Sequence, residues 1–266
     1  MKVQWVIDQM RSLAPENSAV PSDNVGLLVG ETEANVTKIL VALDCTQDVV
    51  REAVEYGADM IVTHHPLIYA PINRVNSDTA AGQMIIQLIR AGISVYAAHT
   101  NLDRACGGVN DCLMEKIGFA QNLQLLQEGD LDYGLVRYGR LGKPMTLINL
   151  AKHVKTVLKL SGVRYAGDAE TMIHSAGICC GGGSDMKFFE AAKEKGCEVF
   201  ITGDIGYHDF VGAKQLGICL IDATHFASEW PVVTKLASYL RDRAAESGFA
   251  ADIRVSVAEV EPFATT

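Results

Sequence analysis

Long apolar runs, clusters of basic residues and low-complexity segments are all missing from this sequence. No stretch approaches the roughly 18 apolar residues that a membrane-spanning helix needs, so we expect no membrane span. The net charge is −9, and a chain without clustered lysine and arginine is a poor candidate for nucleic-acid binding. The composition, 48% hydrophobic and 21% charged, predicts a globular protein with one large or two modest cores.

A CxxC pair is also missing, and the number of cysteines, seven, is odd. A structural zinc knot and a disulfide framework are therefore not expected. Most of the cysteines lie in apolar stretches, which is typical of small buried residues in a reducing compartment. The first residues, MKVQWVIDQMRSLAP, have apolar residues at helical spacing and lack the continuous apolar core of a signal peptide. These features predict a cytoplasmic protein.

Strand-like and helix-like stretches alternate along the chain. KILVALD (38–44), DMIVTHH (59–65) and ISVYAAH (93–99) are apolar and strand-like. Between them lie two helical patterns, TQDVVREAVEYG, with Thr46 as N-cap and Gly57 at its end, and TAAGQMIIQLIRAG. This order predicts a parallel sheet covered by helices.

The same order recurs later in the chain. SAGICCGGGSDMKFFEAAKEKGCEVFITGD (175–204) aligns without a gap when Ile39 is set against Ile178, and a one-residue shift in the third strands sets His99 against His225. We therefore predict an α/β fold of two related lobes from an internal duplication. The first lobe is residues 1–120 with part of the C-terminal region, the connecting segment is 121–174, and the second lobe is 175–266.

The connecting segment and the C-terminal region have patterns of their own. DYGLVRYGRLGKP predicts a strand and a tight glycine turn, and TLINLAKHVKTVLKL predicts an amphipathic helix. Further along, we expect a helix from about Glu229 to Ser247 and then a last strand, DIRVSV.

Histidines and carboxylates follow the carboxyl ends of the predicted strands. In the first lobe they are Asp44, His64, His65, His99 and Asp103, and in the second they are Asp204, His225 and Glu229. Ligands of open α/β sheets bind beyond these strand ends. The duplication therefore predicts two facing rims and a metal site in the cleft between the lobes.

Each cluster by itself has an ordinary alternative explanation. Neighbouring residues of a regular strand point to opposite faces, so both histidines of HHP serve one site only if the strand gives way to a loop, which Pro66 favours. Otherwise one histidine caps a helix and the other is solvated. His225 and Glu229 have the spacing of one helical turn, which is common on exposed helices, and HTNLD need not be helical. Three such clusters at matched strand ends are more specific than any one of them.

Imidazole and carboxylate ligands suit zinc, iron, manganese, nickel or cobalt. The predicted ligand set is His64, His65, Asp103, His225 and Glu229. Five side chains are too many for one open zinc site and few for two closed sites. We therefore expect two divalent metal ions per subunit, bridged by carboxylates, an arrangement that lowers the pKa of a bound water.

Six motifs spread in order over essentially the whole chain resemble the GTP cyclohydrolase I type 2-like (Nif-three-like) family. They are DNVGLLVG (23–30), VTHHPL (62–67), HTNLD (99–103), YGRLG (138–142), TGDIGYHD (202–209) and DATHFASE (222–229). The resemblance implies a two-lobed α/β fold, a dinuclear metal site and a homohexamer built as a trimer of dimers. By motif, the ligands carry over to His64 and His65 from HHP, Asp103 from NLD, and His225 and Glu229 from HxxxE. The usual family sequence has Gly where this chain has Thr224 and often Trp where it has Ser22, and neither change removes a ligand.

Two functions are compatible with these features. The first is a metal-dependent hydrolase of a nucleotide-like or phosphorylated small molecule (GTP cyclohydrolase type 2-like), in which Asp204, Tyr207, His208 and His99 are candidates for orienting ligands or transferring protons. For residues 204–208 the alternative is a capped helix start with a solvated histidine. Residues 181–184, GGGS, either offer backbone N–H groups to an anion or form a tight, closely packed turn.

The second function is that of a non-catalytic metal carrier or interaction scaffold. A NAD-dependent oxidoreductase is disfavoured, because VALDCTQD lacks a glycine fingerprint. The native metal, the substrate and the reaction stay open.

Overall fold

A computed structural model describes residues 1–119, 124–125 and 133–264, and in it the chain divides into two compact units. The first unit comprises Met1–Ala105 and Val232–Val260, and the second comprises Cys106–Pro231 and Glu261–Thr266. Each unit combines one β-sheet with helices, so the predicted α/β class is confirmed. Part of the predicted connecting segment, residues 120–123 and 126–132, lies outside the described residues.

The first unit is built on a five-stranded sheet. Its strands are β1 (Gly26–Val29), β2 (Lys38–Ala42), β3 (Met60–Thr63), β4 (Ser94–Ala97) and, from the end of the chain, β11 (Asp252–Val255). Its helices are α1 (Val3–Leu13), α2 (Gln47–Tyr56), α3 (Ala80–Ala91), α4 (Thr100–Arg104) and most of α9 (His225–Glu246). The strand order is β1-β4-β3-β2-β11, with parallel pairing throughout except for β1.

Strands β3 and β4 are buried along their whole length, as expected for parallel strands that are covered on both faces. Helices α2 and α3 pack on this sheet through apolar residues such as Val50, Ala53, Ile85 and Leu88. The parallel sheet predicted from the three apolar stretches is therefore confirmed. No helix in the described part of the chain is both long and apolar enough to span a membrane.

The ends of α2 follow from local sequence signals. The Thr46 hydroxyl accepts a hydrogen bond from the Val49 N–H at 3.2 Å, which satisfies one of the donors left open at a helix start and contributes about 1 kcal/mol. At the other end Gly57 has φ +69°, a left-handed conformation that glycine adopts without steric strain. Both predicted caps are confirmed.

The second unit contains a six-stranded sheet. Its strands are β5 (Gln124–Leu125), β6 (Arg137–Thr146), β7 (Arg164–Ala166), β8 (Met172–Ile178), β9 (Val199–Thr202) and β10 (Cys219–Asp222). Its helices are α5 (Val109–Ile117), α6 (Leu147–Val157), α7 (Met186–Glu194), α8 (Tyr207–Leu216) and the first residues of α9. In the order β5-β6-β8-β9-β10-β7, only β8, β9 and β10 are parallel neighbours.

The predicted glycine turn in DYGLVRYGRLGKP is wrong. Strand β6 continues through Gly142 and pairs with β8 on both sides of it, Arg140 with Ser175 and Met145 with Ile173. The register shifts between these two pairs, so the turn-forming residues mark an irregularity within the strand. The helix predicted next is confirmed as α6. The C-terminal helix begins at His225 rather than near Glu229.

The repeated order of elements is present in both units, but one part of the alignment needs correction. Ile39 pairs with Met60 in the first sheet, and Ala176 pairs with Val199 in the second. If Met60 corresponds to Val199, as the gapless alignment has it, then Ile39 corresponds to Ala176 and not to Ile178. The first strands are therefore shifted, and the extra residues of the second copy lie between β8 and α7, where the glycine run is.

A carboxylate in front of the second strand of each repeat provides a further match. In the first unit Asp59 Oδ2 accepts hydrogen bonds from the N–H groups of Thr37 (2.7 Å) and Lys38 (2.9 Å). In the second unit Glu198 Oε2 accepts one from Ser175 N–H at 2.8 Å in the same way. Burial raises the pKa of Asp59, but the hydrogen bonds from Thr37 and Lys38 lower it by more, so that it lies below its usual value.

Candidate functional site

The double histidine lies where β3 ends. Strand β3 stops at Thr63, whose hydroxyl donates to the carbonyl oxygen of His65 at 2.8 Å, and the chain leaves strand geometry at this point. The prediction that the strand gives way to a loop at HHP is therefore confirmed. His64 is fully buried, and its ring centroid lies 4.8 Å from that of His65.

The ring of His99 lies close to both of these imidazoles. Its ring centroid is 5.2 Å from that of His64 and 5.6 Å from that of His65. One ligating nitrogen from each ring can be chosen so that the three atoms lie within 4.8 Å of one another. We call His64, His65 and His99 the imidazole cluster; it could hold a metal ion.

Each ring of the imidazole cluster is oriented by an acceptor at Nδ1. His64 Nδ1 lies 2.8 Å from the carbonyl oxygen of Ala98, which only accepts, so this nitrogen carries the proton. His65 Nδ1 lies 2.9 Å from Asp44 Oδ1, and His99 Nδ1 lies 2.8 Å from Asp23 Oδ1. Acceptors at Nδ1 select the tautomer whose Nε2 has a lone pair, and this arrangement is typical of metal-ligating histidines.

Asp23 positions more than one part of the cluster. Its side chain is fully buried, and it accepts hydrogen bonds from the backbone N–H and the hydroxyl of Thr100 as well as from His99. Burial raises the pKa of Asp23, but the hydrogen bonds from His99 and Thr100 lower it by more, so that it lies below its usual value. Because Thr100 is the first residue of α4, Asp23 also caps that helix.

Asp103 lies on α4, so the residues after His99 in HTNLD are helical, which the sequence had left open. Its Oδ1 is 3.7 Å from Nε2 of His64, a separation compatible with two ligands of one ion. The first unit therefore places a carboxylate beside the imidazole cluster, as the predicted ligand set requires.

In the second unit, His225 is the first residue of α9 and Glu229 lies one turn further along the helix. His225 Nε2 is 3.2 Å from Glu229 Oε2, and His225 Nδ1 is 2.7 Å from Asp204 Oδ2. The hydrogen bond and charge of Glu229, helped by Asp204 and opposed by burial, raise the pKa of His225 to about 9. Two carboxylates around one imidazole therefore create a position that favours positive charge, as a cation site does.

The glycine run fits against this histidine–glutamate pair. Gly181 has φ +59°, and a Cβ atom there would meet Glu229 Oε1 at 1.9 Å. Its N–H donates to the hydroxyl of Ser228 at 3.0 Å. Since that N–H is used within the protein, the packing interpretation of the run is favoured over anion binding.

The candidates for proton transfer differ in their surroundings. Asp204 orients His225, and His99 belongs to the imidazole cluster. Tyr207 and His208 are exposed at the start of α8. Asp209 caps this helix start by accepting a hydrogen bond from the Gly206 N–H at 2.8 Å. For Tyr207 and His208 the capped helix start is therefore the better description.

Sequence reasoning did not identify the role of Asp23 or of Asp44 as a partner of His65. Asp23 lies in DNVGLLVG, a motif that carries the family resemblance, and Asp44 follows β2. The available signal for Asp44 was an acidic residue just after a strand, and neither position by itself indicates which histidine the carboxylate contacts. The prediction that all five ligands hold the same pair of ions stays a prediction.

These features define an α/β protein whose imidazole cluster could hold a metal ion. The model of the Duf34/NIF3 (NGG1p interacting factor 3) family matches residues 1–262, and the chain belongs to this family. The family resemblance inferred from the six motifs is therefore confirmed.

Among its relatives, the GTP cyclohydrolase 1 type 2 homolog of Clostridium perfringens is 41% identical over 91% of this chain and 92% of the relative. The protein of the same name from Clostridium acetobutylicum is 37% identical over 99% of this chain and 98% of the relative. A solved structure of a Bacillus cereus protein related to NIF3 has a TM-score of 0.91 at 25% identity and covers 100% of this chain and 99% of its own. A Staphylococcus aureus protein has a TM-score of 0.90 at 29% identity with the same coverage.

Proposed function

We propose that the protein binds two divalent metal ions through His64, His65, Asp103, His225 and Glu229 and hydrolyses a nucleotide-like or phosphorylated small molecule. The observation that carries the proposal is the orientation of the imidazole cluster. Every one of its three rings has Nδ1 next to an acceptor, two of them carboxylates. A structural histidine needs no such common arrangement, whereas a ligating histidine depends on it.

The donor set fits borderline divalent cations. Nitrogen and carboxylate oxygen ligands suit zinc, iron, manganese, nickel and cobalt, and the pairing of His225 with Glu229 and Asp204 supplies the negative charge that a cation needs. A bound divalent ion would supply Lewis acidity toward a phosphate or carbonyl oxygen and would lower the pKa of a coordinated water. The relatives named GTP cyclohydrolase 1 type 2 homolog support a nucleotide-like substrate.

Metal content tests the first half of the proposal. We expect about two ions per chain in protein purified without a tag, measured by mass spectrometry, and a clear loss in His65→Gln and Glu229→Gln. The matched control is His174→Gln, because His174 also faces a carboxylate, Glu198 at 3.3 Å, but lies outside the predicted ligand set. Equal metal content in wild type and in both ligand variants would contradict the proposal.

Turnover tests the second half. Metal-loaded protein is offered a panel of nucleotides and phosphoesters, and we expect hydrolysis that Glu229→Gln abolishes and His174→Gln retains.

A metal carrier or interaction scaffold is the second candidate function, and the family description, NGG1p interacting factor 3, favours it. A carrier would bind and release metal without turnover of any substrate in the panel.

We also propose that the chain forms a homohexamer in the cytoplasm. The family resemblance supports the hexamer, and six mainly buried thiols support a reducing compartment, since only Cys106 of the seven cysteines is exposed. Light scattering would give the mass of six 28.7 kDa chains, and cell fractionation would give the location. A monomer at micromolar concentration, or recovery in a secreted fraction, would contradict these two proposals.

A further inference from the structure

Tyr69 is a large aromatic residue that lies exposed beside the imidazole cluster. The residue is 59% exposed, and its ring centroid is 6.1 Å from that of His99 with the two ring planes perpendicular. In such an edge-to-face pair, the edge of one ring meets one face of the other ring. His99 therefore covers at most one face of the Tyr69 ring, and more than half of the residue stays exposed to solvent.

The backbone that presents Tyr69 is anchored to the first unit. Leu67 and Ile68, directly before it, pack against the apolar core of that unit. The carbonyl oxygen of Ile68 also accepts a hydrogen bond from Asn24 Nδ2 at 2.5 Å. The position of Tyr69 is thus defined by its neighbours, while its own ring is left out of the core.

Two other apolar residues of the same segment are also exposed in the chain. Single exposed apolar residues are common, but Ile72 and Val75 in the same segment are also 41% and 49% exposed. The segment therefore presents three apolar side chains to solvent close in sequence to His65. Exposed apolar groups next to a polar site are typical of a surface that binds the apolar part of a ligand.

We propose that Tyr69 stacks against the planar heteroaromatic ring of the ligand, and so selects nucleotide-like molecules over phosphorylated molecules without such a ring. This inference rests on the proposed function and adds a specificity-determining residue to it. Stacking suits the site because every nucleobase has a π-face, so that recognition needs no hydrogen bonds from the Tyr69 side chain. The phosphate of the same ligand would be held by the metal-binding residues.

The test compares two probes on metal-loaded protein by calorimetry. Guanosine 5′-monophosphate has a planar ring, and ribose 5-phosphate has none. We expect Tyr69→Ala to weaken binding of the nucleotide by about 5- to 100-fold and to leave binding of ribose 5-phosphate unchanged. Tyr69→Phe should keep nucleotide affinity, and Tyr69→Leu, which keeps apolar area but not planarity, should lose most of it.

The control is Tyr165→Ala, which removes another exposed tyrosine, on β7, and should change neither affinity. Metal content is measured for every variant, so that loss of metal is not mistaken for loss of stacking. Equal nucleotide affinity in wild type and Tyr69→Ala, with phosphate binding intact, would overturn the role of Tyr69 alone. A metal-loaded wild type that binds neither probe would overturn both this role and the proposed phosphorylated substrate.

Discussion

Replacing Asp44 by asparagine tests whether a residue that contacts a proposed ligand, but is not one itself, sets metal affinity. Asp44 Oδ1 is 2.9 Å from His65 Nδ1. Partners of this kind typically change metal affinity 10- to 100-fold, or about 1.4 to 2.7 kcal/mol. The Asp44 side chain is 45% exposed, so solvent screens its charge and we expect the lower end of this range. Asparagine keeps an oxygen that accepts from Nδ1, whereas Asp44→Ala removes it.

The expected result is therefore a decrease in metal affinity of about tenfold for Asp44→Asn and of up to about 100-fold for Asp44→Ala. Competition with a chromophoric chelator measures the affinity, and urea denaturation checks that stability changes by less than about 1 kcal/mol. Asp48→Asn is the control, because Asp48 is an exposed acid of the same unit that pairs with Arg51 at 3.0 Å. Affinities within threefold of wild type for both Asp44 variants would refute the reasoning.

Three further predictions concern single positions. Asp59→Asn should lower stability by about 1 to 3 kcal/mol at pH 7. Because the pKa of Asp59 lies below its usual value, that contribution is present above about pH 4 and is lost as the pH falls through the folded pKa. Urea denaturation should therefore show a smaller stability difference between wild type and variant at pH 3 than at pH 7, and not a constant one. Gly181→Ala should displace Glu229 and weaken metal binding by at least about tenfold. Gly182→Ala should bind metal like wild type, because its Cβ would lie 3.9 Å from its nearest neighbour. Equal metal affinities of the two variants in a chelator titration would argue against this. Thr224 has φ +59°, and Thr224→Gly should be more stable than Thr224→Val by about 1 to 2 kcal/mol, measured by urea denaturation. Both variants lose the hydroxyl and its hydrogen bonds, but only glycine relieves the strained backbone. The reverse order would contradict the strain argument.

Two hydrogen bonds of the Thr224 hydroxyl offset the backbone strain at this residue. Its hydroxyl donates to Glu261 Oε2 at 2.8 Å and accepts from the Ala227 N–H at 3.3 Å at the start of α9. A β-branched residue is rarely found in the left-handed region. These two hydrogen bonds explain how threonine is accommodated one residue before His225.

Much of the local structure was readable from the sequence, because its causes lie within a few residues of each other. Thr46 caps the start of α2 and Gly57 caps its end, through hydrogen bonds and dihedral angles inside one turn. The end of β3 at HHP and the helical spacing of His225 and Glu229 depend in the same way on neighbouring residues. The metal-ligating types at these positions could therefore be predicted before any fold was known.

Tertiary structure decided which distant residues meet. Asp23 is brought to His99, and Asp44 to His65, by the pairing of strands that are separated by loops and helices, and no local pattern encodes that pairing. The two-residue correction in the first strands and the continuation of β6 through Gly142 have the same origin, since strand register depends on which partner supplies the hydrogen bonds. The sequence by itself determined the chemical types of the candidate ligands and the short elements that present them. Only the folded chain decided their partners and orientation, because those depend on contacts between residues far apart in the sequence.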